Sequence, residues 1–520
     1  MALSLVQLIE IRVKNCPMLE QVIASEGAEK ATISVIMLPG LRIINLESCS
    51  NLTSFFLGSD KMECLSLKEI TVKDCPKMFE FTSVFPRKKD METIDGVNAS
   101  FFNNKVSCPN LEKLNLFSLN IQKIWPDDQQ QATSSNVQNL YAILVDGCHN
   151  LKYLFLSPLV ENLVQLNQLR IADCKNVEEV IYTGRAAEEK GMAHMLLPNL
   201  QILIIANLPK LVRFCNGNYF VFSSLRKLWI LGCHVLNTFI SANSLIGDDE
   251  PQIAQHEGNN SNPDVVSLFS EKVAFPSLKE LKIIRMGKWR KIWDDELINV
   301  DSFWKLSIVS VEVCEQLLTV FPFKMMKILE KLEELDIMHC ESLEEIIGPD
   351  HGLNSSSASD LMRGSRTQLI EAESTTKFVF PKMRKLGLQK LPKLKCFYSN
   401  THTTEWPSLQ ELRVIGCECD KLVEIFAEDK YLNFLERQGE SNFEITVQQQ
   451  PLFWVNEGVG EATLMPLFDS YLWNRLDTVT SQDPSPTKPS STVVAEKSKS
   501  THEQAASLAQ GFRYGKESKI

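Results

Sequence analysis

Apolar residues recur in this chain at a spacing that belongs to neither a helix nor a plain strand. Between Leu332 and Ile347 they fall at Leu332, Leu335, Ile337, Cys340, Leu343, Ile346 and Ile347. A helix of 3.6-residue period would scatter these side chains around its axis, and a strand of period two would alternate them between faces. The pattern fits a three-residue strand, a tight turn and a return arm, with every apolar side chain aimed into one slab. One such coil cannot bury its own apolar face, so the chain must stack many of them.

The first apolar position recurs at Leu8, Leu41, Leu67, Leu111, Leu140, Leu166, Leu200, Leu225, Leu278, Leu306, Leu332, Met383 and Leu409. A cysteine form of the next turn appears at Cys16, Cys49, Cys75, Cys148, Cys174, Cys233, Cys314, Cys340 and Cys417, and Leu119, Leu208, Met286 and Leu391 fill that slot elsewhere. Thirteen copies define an α/β repeat solenoid, specifically an irregular leucine-rich-repeat horseshoe. The expected architecture is a parallel strand ladder on the concave face with short helical or extended convex arms. At ~4.8 Å per rung, thirteen rungs make a ladder about 60 Å long on its inner arc.

Six prolines (Pro39, Pro109, Pro198, Pro276, Pro381 and Pro407) each lie two residues before a first apolar position. Proline fixes φ and donates no hydrogen bond, so it steers the chain into a strand without occupying a ladder position. A longer repeat is superposed on the short one. Leu111, Leu140 and Leu166 match Leu278, Leu306 and Leu332 at a nearly constant offset, and Ile124-Trp125 returns as Ile292-Trp293. The expected organisation is a solenoid over 1–427, with a five-coil block duplicated at 111–265 and 278–447. A degenerate or truncated repeat over 428–480 and a disordered, Ser/Thr/Pro/Lys-rich tail over 481–520 follow. Polar insertions at about 25–36, 87–107, 241–270 and 348–377 are expected as mobile loops on the rim or convex side.

A net charge of −11 supplies no basic excess to displace counterions, so nucleic acid is not an expected partner. No apolar run is long enough for a membrane span. The first residues lack a basic leader and already belong to a coil that no cap precedes, which favours a piece of a longer chain. Of fourteen cysteines, nine hold the repeated slot, where they stack as buried thiols; reduced cysteines and a cytoplasmic or nuclear location are expected.

Pro276-Ser-Leu-Lys-Glu-Leu-Lys-Ile leading to Lys291-Ile-Trp293, followed by the Leu332–Ile347 coil, resembles one group in particular: the C-terminal leucine-rich repeats of plant intracellular disease-resistance receptors of the coiled-coil, nucleotide-binding type (NLR proteins). The likeness covers about residues 1–427. It implies a non-catalytic recognition and autoregulatory module that binds a pathogen effector or an effector-modified (guarded) host protein. The phosphate loop of such receptors, Gly-x-x-x-x-Gly-Lys-Ser/Thr, does not occur in this sequence, so a nucleotide switch would have to lie elsewhere. The alternative is a stand-alone repeat scaffold, acting as adaptor or decoy.

No catalytic, cofactor or metal motif stands out. Gly458-Val-Gly460 lacks the third glycine of a dinucleotide loop, and Cys417-Glu-Cys419 has no second ligand pair. Cys148-His149 and Cys233-His234 are ladder cysteines followed by a turn residue, and Glu178-Glu179 and Glu344-Glu345 suit a solvated arm. Enzyme chemistry is therefore not expected, and binding is. Strand residues flanking the central apolar position project from the concave face, where Phe117, Leu144, Ile204, Trp229, Leu231 and Ile284 are apolar with no core to fill. Large apolar patches on a surface mark interaction sites, so these six are the expected partner-binding residues; the alternative is that loops such as 241–270 fold over them and bury them. Arg12, Lys14 and Lys73 form a small basic region on the first coils. By the resemblance, they are candidates for docking a nucleotide-binding NLR module.

Overall fold

The computed structural model describes residues 6–24, 35–58, 60–83, 100–127, 137–183, 194–195, 197–217, 219–241, 267–294, 302–349, 376–399 and 402–417. The chain divides into two compact units, Met1–Leu464 and Met465–Ile520. The second unit, the expected 428–480 segment, the expected tail and the middles of the insertions all lie outside the described residues.

Each of the thirteen apolar markers is followed two residues later by a five-residue strand: Glu10–Lys14, Ile43–Glu47, Glu69–Lys73, Lys113–Phe117, Ala142–Asp146, Gln168–Ala172, Ile202–Ala206, Lys227–Leu231, Glu280–Ile284, Ile308–Glu312, Glu334–Met338, Lys385–Gln389 and Glu411–Ile415. They form one parallel sheet in sequence order. This is a leucine-rich-repeat solenoid. The strands are longer than the three residues the spacing suggests, because the residues at either end also join the ladder without needing an apolar side chain.

A reverse turn precedes each strand after the first, and a tight bend follows every strand. The turn before it closes from the marker amide to a carbonyl three residues back, as in Leu111 N to Cys108 O (3.1 Å) and Leu278 N to Phe275 O (3.3 Å). Proline, where present, is the second residue of this turn, the position whose φ it already satisfies. After every ladder strand one residue takes a left-handed φ between 51° and 68°: for example Asn15 (56°), Ser48 (54°), Asp173 (52°), Gly232 (61°) and Val313 (54°). The cysteine follows. Its thiol donates to the carbonyl two residues earlier, at 3.4 Å for Cys49 to Glu47 O and 3.1 Å for Cys174 to Ala172 O. Its own carbonyl accepts the amide three residues on, as in Leu343 N to Cys340 O (3.2 Å). The slot therefore favours a small apolar side chain with a weak donor. Burial pushes the thiols of Cys148 and Cys233 up to about 12.

The return arms make short, separate parallel sheets, one of which holds Tyr153–Leu156, Glu179–Tyr182, Arg213–Asn216 and Ile240–Ser241. Helix is confined, among the described residues, to single turns such as Ser157–Val160 and Met326–Leu329. Stacked rings fill the back of the coils. Phe214 lies 4.9 Å from Phe239, Phe222 5.4 Å from Phe275, and Phe380 4.2 Å from Trp406. The two Ile-Trp motifs repeat this packing: Trp125 stacks on Phe102 and Trp293 on Phe321, each at 5.1 Å.

The ends of the expected loops need correcting. Phe101 and Phe102 are buried, Val106–Ser107 pairs with the Lys61–Glu63 strand, and Ser267–Phe269 buries Leu268 and Phe269. Val35–Met37 and Thr376–Val379 are likewise strands. Polar residues dominate each insertion as a whole and conceal the few apolar residues at its end that re-enter the core. At the other extreme, the apolar side chains of the first coil (Leu8, Ile11, Val13, Cys16 and Leu19) are only partly buried.

Candidate protein-recognition surface

Period-two alternation sends the second and fourth residues of each ladder strand into the core and the first, third and fifth to the concave face. The third-position column runs Asn115, Leu144, Arg170, Ile204, Trp229, Lys282 and Ser310 in unbroken register. The fifth-position column runs Phe117, Asp146, Ala172, Ala206, Leu231, Ile284 and Glu312 in the same register.

Of the six residues expected to bind, four come together. Ile204 lies beside Trp229, and Leu231 beside Ile284, with Ile202 extending the apolar area, while Ala172 and Ala206 are buried. Phe117 and Leu144 stand apart from that patch. Arg170 and Asp146 separate them from it, joined to each other at 3.3 Å. Leu144 is only 5% exposed, so it offers a partner little surface. Asp146 has its carboxyl pushed up by burial and by neighbouring Asp173, against the opposing pull of Arg170.

Trp229 is held, not free to rotate. Its indole N–H donates to Glu280 Oε1 at 3.1 Å, and Lys282 Nζ sits 4.7 Å from the ring centroid. Glu280 also pairs with Lys227 at 3.0 Å and Lys282 at 3.6 Å, although it is 8% exposed. One nearly buried carboxylate thus satisfies two ammonium groups and an indole, and presets the ring. A preset aromatic loses little rotamer entropy on binding. Considering only the two positions around the strand centre missed Glu280. Continuing the alternation one step toward the strand's start would have found it.

The basic residues of the first coils are also brought together, but with acids between them. Lys14, Glu47 and Lys73 are register neighbours, at 2.6 Å and 3.3 Å, and Arg12 pairs with Glu10 at 2.7 Å. Lys14 above all, with Lys73, holds the Glu47 carboxyl below its usual range. All three cations therefore already have a carboxylate partner.

Among the described residues no group of three or more His, Cys, Asp or Glu could hold a metal ion, and no helix is long and apolar enough to cross a membrane. Thirteen cysteines are free thiols; Cys419 and Gly458–Gly460 lie outside the described residues. Glu344 pairs with Lys395 and Glu179 with Arg213, both at 2.6 Å, so these carboxylates serve the arms.

Fold and surface together define a leucine-rich-repeat protein of the irregular, cysteine-bearing kind. The family model described as "Plant disease resistance protein RPS2-like, leucine-rich repeats" matches residues 110–245 and 277–436, more than half of the chain, and the chain belongs to that family. A curated relative, "Probable disease resistance protein At4g27220" of Arabidopsis thaliana, is 29% identical over 139 residues, which are 26% of this chain and 15% of that protein. The chain therefore matches only a small part of the relative's length. Among solved structures, the Arabidopsis receptor kinase HAESA in complex with the peptide hormone IDA and the co-receptor SERK1 is similar at 12% identity. That match covers 74% of this chain and 79% of that one; its TM-score of 0.15 is too low to support an argument.

Proposed function

We propose that this chain is a non-catalytic recognition module of plant defence that binds a protein partner on its concave face. The partner is a pathogen effector or a host protein altered by one. The observation that carries this reading is the continuous apolar patch of Ile204, Trp229, Leu231 and Ile284, flanked in register by Arg170 and Lys282, with its central tryptophan locked in place by Glu280. Buried aromatics with a preset orientation are the usual anchors of protein interfaces, and losing one costs about 2–4 kcal/mol. Phe117 and Leu144 lie at the edge of this reading.

In a longer receptor, such binding would act on a nucleotide-binding module through the first coils, where Arg12, Lys14 and Lys73 lie. It would shift a two-state switch only by its difference in affinity for the two states. A cytosolic or nuclear setting suits the buried free thiols. The two family matches, starting at residues 110 and 277, support a duplicated five-coil block.

The test is a photo-crosslinking residue placed at Ile284, read in infected plant tissue. The expected result is one dominant crosslinked protein, lost when Trp229→Asp and Leu231→Asp are combined while circular dichroism stays unchanged. A crosslink that survives both changes would place binding elsewhere; loss of the dichroism signal would show that the patch is core.

A further inference from the structure

The turns that enter the ladder strands form a second surface, separate from the concave patch. In the coils of Leu140, Leu166 and Leu200, the third residue of that turn is Asn139, Gln165 and Asn199. Asn139 Nδ2 donates to Pro109 O at 2.8 Å and Asn199 Nδ2 to Val164 O at 2.7 Å, so these amides tie each coil to the one before it. In the matching coils of Leu306, Leu332 and Met383 the same position holds Lys305, Lys331 and Lys382.

The register of Ile308 with Glu334 and of Glu334 with Lys385 puts these three lysines on consecutive rungs, ~4.8 Å apart. All three are exposed, with exposed Arg384 beside them. Among the described residues none of the three has a carboxylate within 4 Å; Lys305 reaches only Ser277 Oγ, at 3.4 Å. Stability alone does not favour this arrangement. Like charges on neighbouring rungs repel, and the lysines replace amides that bond one coil to the next in the other block.

We propose that this lysine rim docks a short acidic segment of a protein partner. Two observations favour carboxylates on a protein over a nucleic acid. The cations span only about 10 Å over three rungs, the reach of a few extended residues, whereas a nucleic acid gains affinity by many phosphate contacts. The chain carries a net charge of −11, and Glu330 lies within the rim itself, so a long polyanion would meet repulsion on leaving it. The surface acts through charge and contributes speed and orientation to an encounter more than affinity.

The experiment measures fluorescence anisotropy of a labelled decaglutamate peptide titrated with the full chain, at low and high salt. A single-stranded DNA decamer serves as comparator. The variant carries Lys305→Asn, Lys331→Gln and Lys382→Asn, residues that the other block already accommodates at these positions. The wild-type chain should bind the peptide about tenfold more tightly than the variant at low salt, from three exposed ion pairs, and the gap should narrow at high salt. Trp229→Asp with Leu231→Asp should leave peptide binding unchanged, which separates this surface from the concave one. Equal binding by wild type and variant, no peptide binding, or DNA binding as tight as the peptide's would each overturn the proposal.

Discussion

The two five-coil stretches, from Leu111 and from Leu278, reach the same backbone with different local chemistry. The left-handed residue after the strand is Ser118, Gly147, Asp173, Asn207 and Gly232 in the first stretch, and Arg285, Val313, His339, Lys390 and Gly416 in the second. Glycine, Asn, Asp and His suit that conformation, while a β-branched valine opposes it by about 1–2 kcal/mol. The turn forms regardless, because the core side chains on both sides and the strand hydrogen bonds hold it. The concave faces differ as well: Ile204 and Trp229 in the first stretch correspond to Gly387 and Arg413 in the second, while Leu231 keeps an apolar counterpart in Ile415. Shared apolar positions fix the coil, and everything pointing away from the core is left free to specialise.

The junction of the two stretches offers the largest expected effect. Phe275 is fully buried and its ring lies 5.4–5.6 Å from those of Phe222, Phe239, Phe269 and Phe303, rings from both stretches. Phe275→Ala should cost about 3–5 kcal/mol and divide a single urea transition into two, since neighbouring coils would lose the packing that couples them. One unchanged transition would show that the ladder alone couples the stretches.

Alkaline pH tests both stretches together. Burial raises the thiols of Cys148 and Cys233 to about 12 and that of Cys417 to about 11, against an ordinary value near 9. The unfolded chain therefore ionises first. Stability is complete below pH 9 and is lost as pH rises through 11 to 12. The urea midpoint should fall across that window, and by less in a Cys148→Ala, Cys233→Ala variant; an identical fall would assign the loss to other groups.

The smallest effect isolates the turn. Gly147 and Val313 are equivalent, and both have positive φ, 68° and 54°. Val313→Gly should stabilise by up to about 1 kcal/mol, and Gly147→Val should destabilise by about 1–2 kcal/mol. A new Cβ at Gly147 would lie 3.3 Å from Ser118 Oγ, adding to the second cost. Equal and negligible shifts in thermal midpoint would mean that the backbone there relaxes.

Much of the fold was legible because one coil repeats one instruction. Leu335, Ile337, Cys340 and Leu343 sit in the core where their spacing puts them, and the prolines sit at turns. The ends of the insertions were not legible: Phe101, Phe102, Leu268 and Phe269 are core residues inside polar stretches, and their partners lie in other coils. The candidate surface was legible in part. Alternation places Ile204, Trp229, Leu231 and Ile284 on the concave face, while the carboxylate that positions Trp229 lies on the next strand, 51 residues away in sequence.

By itself the sequence determined which side chains of the repeating coil are core, which strand positions face the concave surface and in what order the coils stack. Those follow from alternation and from the need of every coil to bury one side. Only the tertiary structure decided which concave residues touch. Insertions of unequal length make sequence separation a poor guide to distance: Trp229 and Glu280 are 51 residues apart yet hydrogen-bonded. It also decided that Arg170 and Asp146 divide Leu144 from Ile204, and that Lys14 and Lys73 share Glu47. Ion pairs depend on the lateral register of separate strands, and that register exists only once the coils are stacked.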